Sequence, residues 1–213
     1  MNFFDPNSGI MGFLGKIFDV ILLSIVWIIF SIPIITIGAS TTALYYSAVK
    51  AIRRERGYVF REFWKSFKTN FINATILWIP LMILISIFYK LNIKFALELG
   101  GPQGFVLLCI YCMFGFVLIC TGIYMFPILS RFTMTRIQTI KSAAFMALKH
   151  FPITLVLLVI VGATVFGLYV LPIVFIFLPA TSAIIFSFLM EPILKKYTPQ
   201  SEGDEPKDEW YLE

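Results

Sequence analysis

The sequence predicts an all-α, polytopic transmembrane helical bundle of about five spans with amphipathic interfacial helices on its cytoplasmic side. The first observation is composition. Of 213 residues, 59% are hydrophobic and 14% charged, with a mean hydropathy of +0.89. A soluble domain carries about 25% charged residues, because its surface faces water. The second is the distribution of charge: Val20–Val49, Phe71–Tyr89, Gly100–Ser130 and Phe151–Met190 contain no Asp, Glu, Lys, Arg or His. About 20 apolar residues cross the hydrocarbon core as a helix, so the last run, of 40 residues, holds two crossings. The third is physical. In lipid a helix pairs its own backbone groups segment by segment, which an isolated strand cannot do.

The expected spans are residues 17–37, 71–89, 105–130, 152–170 and 173–190. Residues 1–16 are aromatic and glycine-rich, a composition suited to the interface. A cleaved signal peptide fits the start poorly: no basic segment precedes the first span, and its apolar stretch is too long. Pro33 lacks an N–H and is expected to break the first span, with Ser31 and Thr36 available to the freed carbonyls. The joint that follows consists of Pro33, Thr36, Gly38, Thr41, Thr42 and Tyr45. Its small residues suit an N-cap at Ser40, Thr41 or Thr42, or a close helix–helix contact. A broken helix beside capped N–H groups is also how transporters build substrate sites, whereas packing alone accounts for the same residues.

The next helix places Tyr45, Ala48, Val49 and Ile52 on one face and is expected to expose Lys50, Arg53, Arg54 and Arg56. Gly57 ends it. Then Phe60, Phe63, Trp64, Phe67 and Phe71 follow helical spacing, with Arg61, Lys65 and Lys68 as a basic stripe beside them and Glu62 on the far side. An aromatic stripe edged by cations suits a helix in the headgroup plane, and equally a helix docked in a partner's groove. Pro80 interrupts the second span, Gly100-Gly-Pro102 makes a turn, and Pro127 lies near the inner end of the third. Residues 131–150 are basic and amphipathic. Pro172 marks the turn between the last two spans, and Pro179 is expected to bend the fifth. Residues 198–213, with six acidic residues and two prolines, are expected to be a disordered tail. Its Trp210-Tyr-Leu212 is a weak anchor or peptide ligand at most.

With five spans, fourteen of the seventeen Lys and Arg residues fall on one side, and Lys16, Lys90 and Lys94 on the other. Basic flanks stay in the cytoplasm, which puts the N-terminus outside and the C-terminus inside. The net charge of +5 is thereby accounted for by an anionic inner leaflet, without nucleic acid. Span, basic loop and span occur twice in the same orientation, a thin parallel repeat at an offset of 81 residues.

Catalytic chemistry is not apparent. Cys109 and Cys112 form a C-x-x-C without further Cys or His to complete a zinc set, so packing is the simpler reading, and no cofactor is implied. The charged residues Asp19 and Glu191 stand at span ends, leaving no ionisable group at mid-depth for a proton relay. His150 is placed at an interface, where solvation explains it without catalysis. No metalloprotease, P-loop or nucleophile-elbow motif occurs, so the chain is expected not to be an enzyme.

Trp27, Pro33-Ile-Ile-Thr-Ile-Gly38, Thr41-Thr-Ala-Leu-Tyr-Tyr46 and Phe60…Phe63…Phe67…Asn70-Phe71 together resemble the YesL-like family of small bacterial membrane proteins, a domain of unknown function. The likeness extends to about Lys196. Ser24 stands where members often carry Asn. The resemblance implies a cytoplasmic-membrane protein of Gram-positive-type bacteria, associated with carbohydrate uptake through ABC transporters. It transfers no catalytic or ligand residues. The expected role is an accessory or regulatory subunit touching a permease or ATPase; a stand-alone sugar carrier or channel is the alternative, and an assembly or regulatory factor with some other partner is a third.

Overall fold

A computed structural model of the protein describes residues 9–198. The remainder of the acidic tail and residues 1–8 lie outside the described residues. Among those described the chain is helical, with no strand. The helices are α1 (Gly9–Ser31), α2 (Ile37–Ser47), α3 (Val59–Ile87), α4 (Lys94–Leu99), α5 (Gly101–Arg131), α6 (Arg136–Lys149), α7 (Phe151–Val170) and α8 (Leu178–Lys196). Five helical stretches are long and apolar enough to cross a membrane: Gly12–Ser31, Val59–Leu99, Gly101–Arg131, Phe151–Val170 and Leu178–Lys196.

Their boundaries correct several expectations. The first span stops at Ser31, and Ile34–Thr36 form a separate 3-10 turn. Thr36 Oγ1 donates to the Phe30 and Pro33 carbonyls (2.6 and 2.7 Å), and Ser40 Oγ also reaches Phe30 O (2.8 Å). The carbonyls freed by the break are thus satisfied by side chains, as lipid demands. Ser31 takes no part; its buried Oγ has no partner. Nor does Ser40, Thr41 or Thr42 cap α2, which begins earlier, at Ile37; Thr42 Oγ1 donates instead to Gly38 O one turn back (2.9 Å).

The surface helix and the second span are one continuous helix through Pro80, prolonged by a π-helical stretch (Phe88–Ile93) into α4. One missing N–H does not break so long a ladder when the helix is packed on both flanks. Pro179 does not bend the fifth span. It stands in the first turn of α8, where proline's missing N–H costs nothing, and residues 172–176 are a 3-10 turn before it. α6 opens with a capping box in which Gln138 Oε1 accepts from the Thr135 backbone N–H (3.1 Å).

A second π-helical stretch, Ala48–Arg53, continues α2. It ends at Glu55 and Gly57, both at positive φ (54° and 89°), and the chain turns into α3. α1 and the 34–53 segment make an antiparallel hairpin: Lys16 Nζ lies 2.6 Å from Glu55 Oε1 at one end, and Ser40 bonds Phe30 near the other. Lys16 therefore belongs with the Lys50–Arg56 loop, not on the side opposite it. The earlier tally assumed that α1 crosses and stays across; the hairpin brings the chain back.

The core lies where α1, α2, α5, α8 and the first half of α3 converge, around Leu23, Val49, Phe63, Tyr124, Ile128 and Met190. α2 is buried from Gly38 to Ser47, Thr41 excepted. It presses close to α3: a Cβ on Gly38 would lie 2.7 Å from Trp78 Cβ and 3.0 Å from the Ala74 carbonyl oxygen. Outward faces stay apolar, with Ile83, Val159 and Phe166 exposed, as a lipid-facing surface requires.

Candidate functional site

Two groups of buried charge lie where the 48–56 segment meets α3, α5 and α8. Lys50 and Glu62, both buried, form an ion pair at 3.1 Å, and Lys50 Nζ also donates to Tyr46 OH (3.2 Å). Burial works against the Lys50 ammonium, yet the Glu62 carboxylate and the Tyr46 hydroxyl raise its pKa above the usual lysine value. The second group surrounds buried Glu191. Its Oε1 accepts from Tyr45 OH (2.7 Å) and its Oε2 from Arg131 (2.9 Å), with Arg54 at 3.7 Å. Beside it Arg53 donates to Ser187 Oγ (3.0 Å) and stacks over Phe188, 3.9 Å from the ring centre. Three guanidinium groups thus gather about one carboxylate.

This corrects the reading of Lys50 as exposed, and with it the placing of Glu62 on the far side. The stripe of α3 that faces the protein is Val59, Glu62, Phe63, Ser66 and Phe67. At 100° per residue it lies roughly a quarter-turn from the expected one. Phe63 and Phe67 are therefore core. Phe30 packs on both, at ring-centre distances of 5.6 and 5.0 Å, and on Trp64 at 5.5 Å. Phe60, Trp64 and Phe71 remain exposed, flanked by exposed Arg61, Lys65 and Lys68. Lys68 Nζ sits 4.7 Å from the Trp64 ring centre, a cation–π contact that ties the two stripes together.

The joint residues serve packing. Pro33 is exposed at the break, Thr36 bonds freed carbonyls, and Gly38 admits Trp78, whose Nε1 donates to Ile34 O (2.8 Å). Thr41 and Tyr45 also line a cavity of about 430 Å³ bounded by Trp27, Trp78, Phe126 and Phe186 among others. Ser24, at the position where Asn is frequent, is buried and accepts the Ala180 N–H (3.1 Å), satisfying an orphan donor of α8's first turn.

The sequence reading missed Arg131 and Glu191 as a pair, since sixty residues separate them. Glu62 did leave a signal: Val59, Glu62, Phe63, Ser66 and Phe67 keep the i, i+3, i+4, i+7, i+8 pattern of a buried face. Among the described residues no cluster of three metal-binding side chains occurs. His150 sits 3.2 Å from Tyr197 OH, with Lys149 and Lys196 near it, and burial followed by these cations lowers its pKa.

No curated protein and no solved structure matches the chain. Residues 20–91 match the family model described as "Protein of unknown function, DUF624". That stretch holds Lys50, Glu62, Tyr45 and Arg54, while Arg131 and Glu191 reach the site from outside it.

Proposed function

We propose that the protein is a YesL-like, non-enzymatic protein of the bacterial cytoplasmic membrane that serves as an accessory or regulatory subunit of an ABC-type carbohydrate uptake system. The observation that carries this reading is the exposed face of α3, where Phe60, Trp64 and Phe71 run beside Arg61, Lys65 and Lys68. Half of the aromatic stripe is spent on the protein's own core. What remains mixes rings and cations, the composition favoured at protein interfaces and at anionic headgroups. The permease or its ATPase is the partner this face would meet. The Glu191 and Lys50 groups pair their charges internally, which suits a scaffold more than a coupling device.

Basic residues concentrate on the Lys50–Arg56 side, which supports a cytoplasmic location for it. Lys16 beside Glu55 supports placing the start of α1 there too, in place of an external N-terminus.

Affinity purification in mild detergent, under conditions that keep the transporter intact, is expected to recover permease or ATPase subunits with the tagged protein. Changing Arg61, Lys65 and Lys68 to Glu should abolish the recovery. A wild-type chain that purifies alone would end this reading. The cavity favours a second reading, a stand-alone small-solute carrier, although its apolar wall offers few partners to a sugar's hydroxyls. Flux of a sugar into liposomes holding only this protein would favour that reading.

A further inference from the structure

The cavity of about 430 Å³ lies between α1, α2, α3, α5, α7 and α8, within the apolar part of the bundle. Its few hydroxyls are already committed. Thr164 donates to Ile160 O (2.7 Å), Ser182 to Pro179 O (2.9 Å), and Tyr45 to Glu191 (2.7 Å). The indole N–H of Trp27, another wall residue, is buried without a partner. A wall of this kind solvates hydrocarbon and offers little to a polar solute.

One end of the cavity adjoins the arginine group. Tyr45 belongs to the wall and bonds Glu191, and Phe186 precedes Ser187, the acceptor of Arg53. Arg53, Arg54 and Arg131 set three positive charges against the single negative charge of Glu191. Arg53 and Arg54 are half-buried, whereas Arg131 is almost fully enclosed. A hydrocarbon cavity that ends at surplus guanidinium charge is complementary to one molecule with an apolar chain and an anionic head. Guanidinium groups recognise phosphate oxygens through paired N–H donors.

We propose that the cavity takes the acyl chain of a phosphate-bearing lipid whose headgroup lies on the Arg53–Arg54 edge of the Glu191 group. The site is separate from the exposed α3 face and does not depend on a protein partner.

The test uses the full chain in phosphatidylcholine vesicles containing a small fraction of phosphatidic acid with a diazirine in its acyl chain, with the corresponding phosphatidylcholine probe as the comparison. Cross-linked residues are mapped by mass spectrometry. Label is expected on the wall residues Trp27, Phe126 and Val161, several-fold more from phosphatidic acid. Ala183→Trp, which fills the wall, should remove that label and spare the label on Ile79 and Val159, which face lipid. Labelling of those two residues and an unchanged circular dichroism spectrum report a folded chain; should Ala183→Trp fail them, Thr41→Phe takes its place. Arg53→Gln should reduce the preference for phosphatidic acid several-fold while the wall label persists. Excess inorganic phosphate should leave the wall label unchanged, since the chain anchors the lipid. Label confined to Ile79 and Val159 would overturn the proposal, as would a wall label indifferent to the filling variant. Equal labelling by the two probes would remove the headgroup half of it.

Discussion

Glu191 holds Arg131 at 2.9 Å and Tyr45 at 2.7 Å inside the bundle. Breaking a buried pair from one side leaves the other charge without compensation, at a cost of about 3–5 kcal/mol. Glu191→Gln, which keeps the shape, is expected to lower stability by that amount in chemical denaturation in detergent. Glu191→Leu combined with Arg131→Met removes both charges and should cost less than Glu191→Gln alone. His150 gives a pH dependence. Its folded pKa is lowered, by burial first and then by Lys196 and Lys149, so the unfolded chain takes up the proton first. Stability should fall as pH drops below about 6.5, the usual histidine value, and level off below the lowered pKa. Melting temperatures of wild type and His150→Asn across that range check this, the variant showing the flatter profile. Neither group stood out as a partnered site in the sequence. Pairing across sixty residues leaves no local trace, whereas the i, i+3 neighbours of Glu62 do.

The joint between α1 and α2 was legible as a helix break, because Pro33 has one consequence for a backbone in lipid. The stripe of α3 was legible as aromatic but misjudged in phase. Eight aromatic or basic residues support the outward reading, and only the position of Phe30 decides that Phe63 and Phe67 turn inward. The close approach of α2 and α3 at Gly38 is of the same kind. A run of small residues signals contact without naming its partner, here Trp78 and Ala74. Gly38→Leu forces side-chain carbons into that contact and should destabilise by about 1–3 kcal/mol, read as an earlier unfolding midpoint in detergent. Gly12→Leu, where nothing lies within 4 Å, should be near neutral.

The apolar runs marked the spanning helices of the whole molecule with little error, since length and charge exclusion are sufficient for that. Topology was harder, because counting charges by side presupposes how often the chain crosses. The 34–53 segment is buried in protein rather than in lipid, so its polar small residues conceal a return of the chain toward Glu55. Reporter fusions should therefore find the chain just before α1 on the same side as the Arg131–Arg136 turn and Lys196, and opposite Lys94. An N-terminal reporter on the Lys94 side would mean that α1 crosses once and stays across.

The π-helical stretch Ala48–Arg53 has a consequence for the molecule's tolerance of length change. Each π turn holds one residue more than an α turn, since its bonds run from i to i+5. Deleting a single residue there would relax the stretch to an ordinary helix and rotate everything after it by about 100°. Lys50 would keep Glu62, while Arg53 and Arg54 would swing off Ser187 and Glu191. This short segment is thus a phase-setter, and an indel of one residue in it would trade one set of cation partners for another while the helix itself survived.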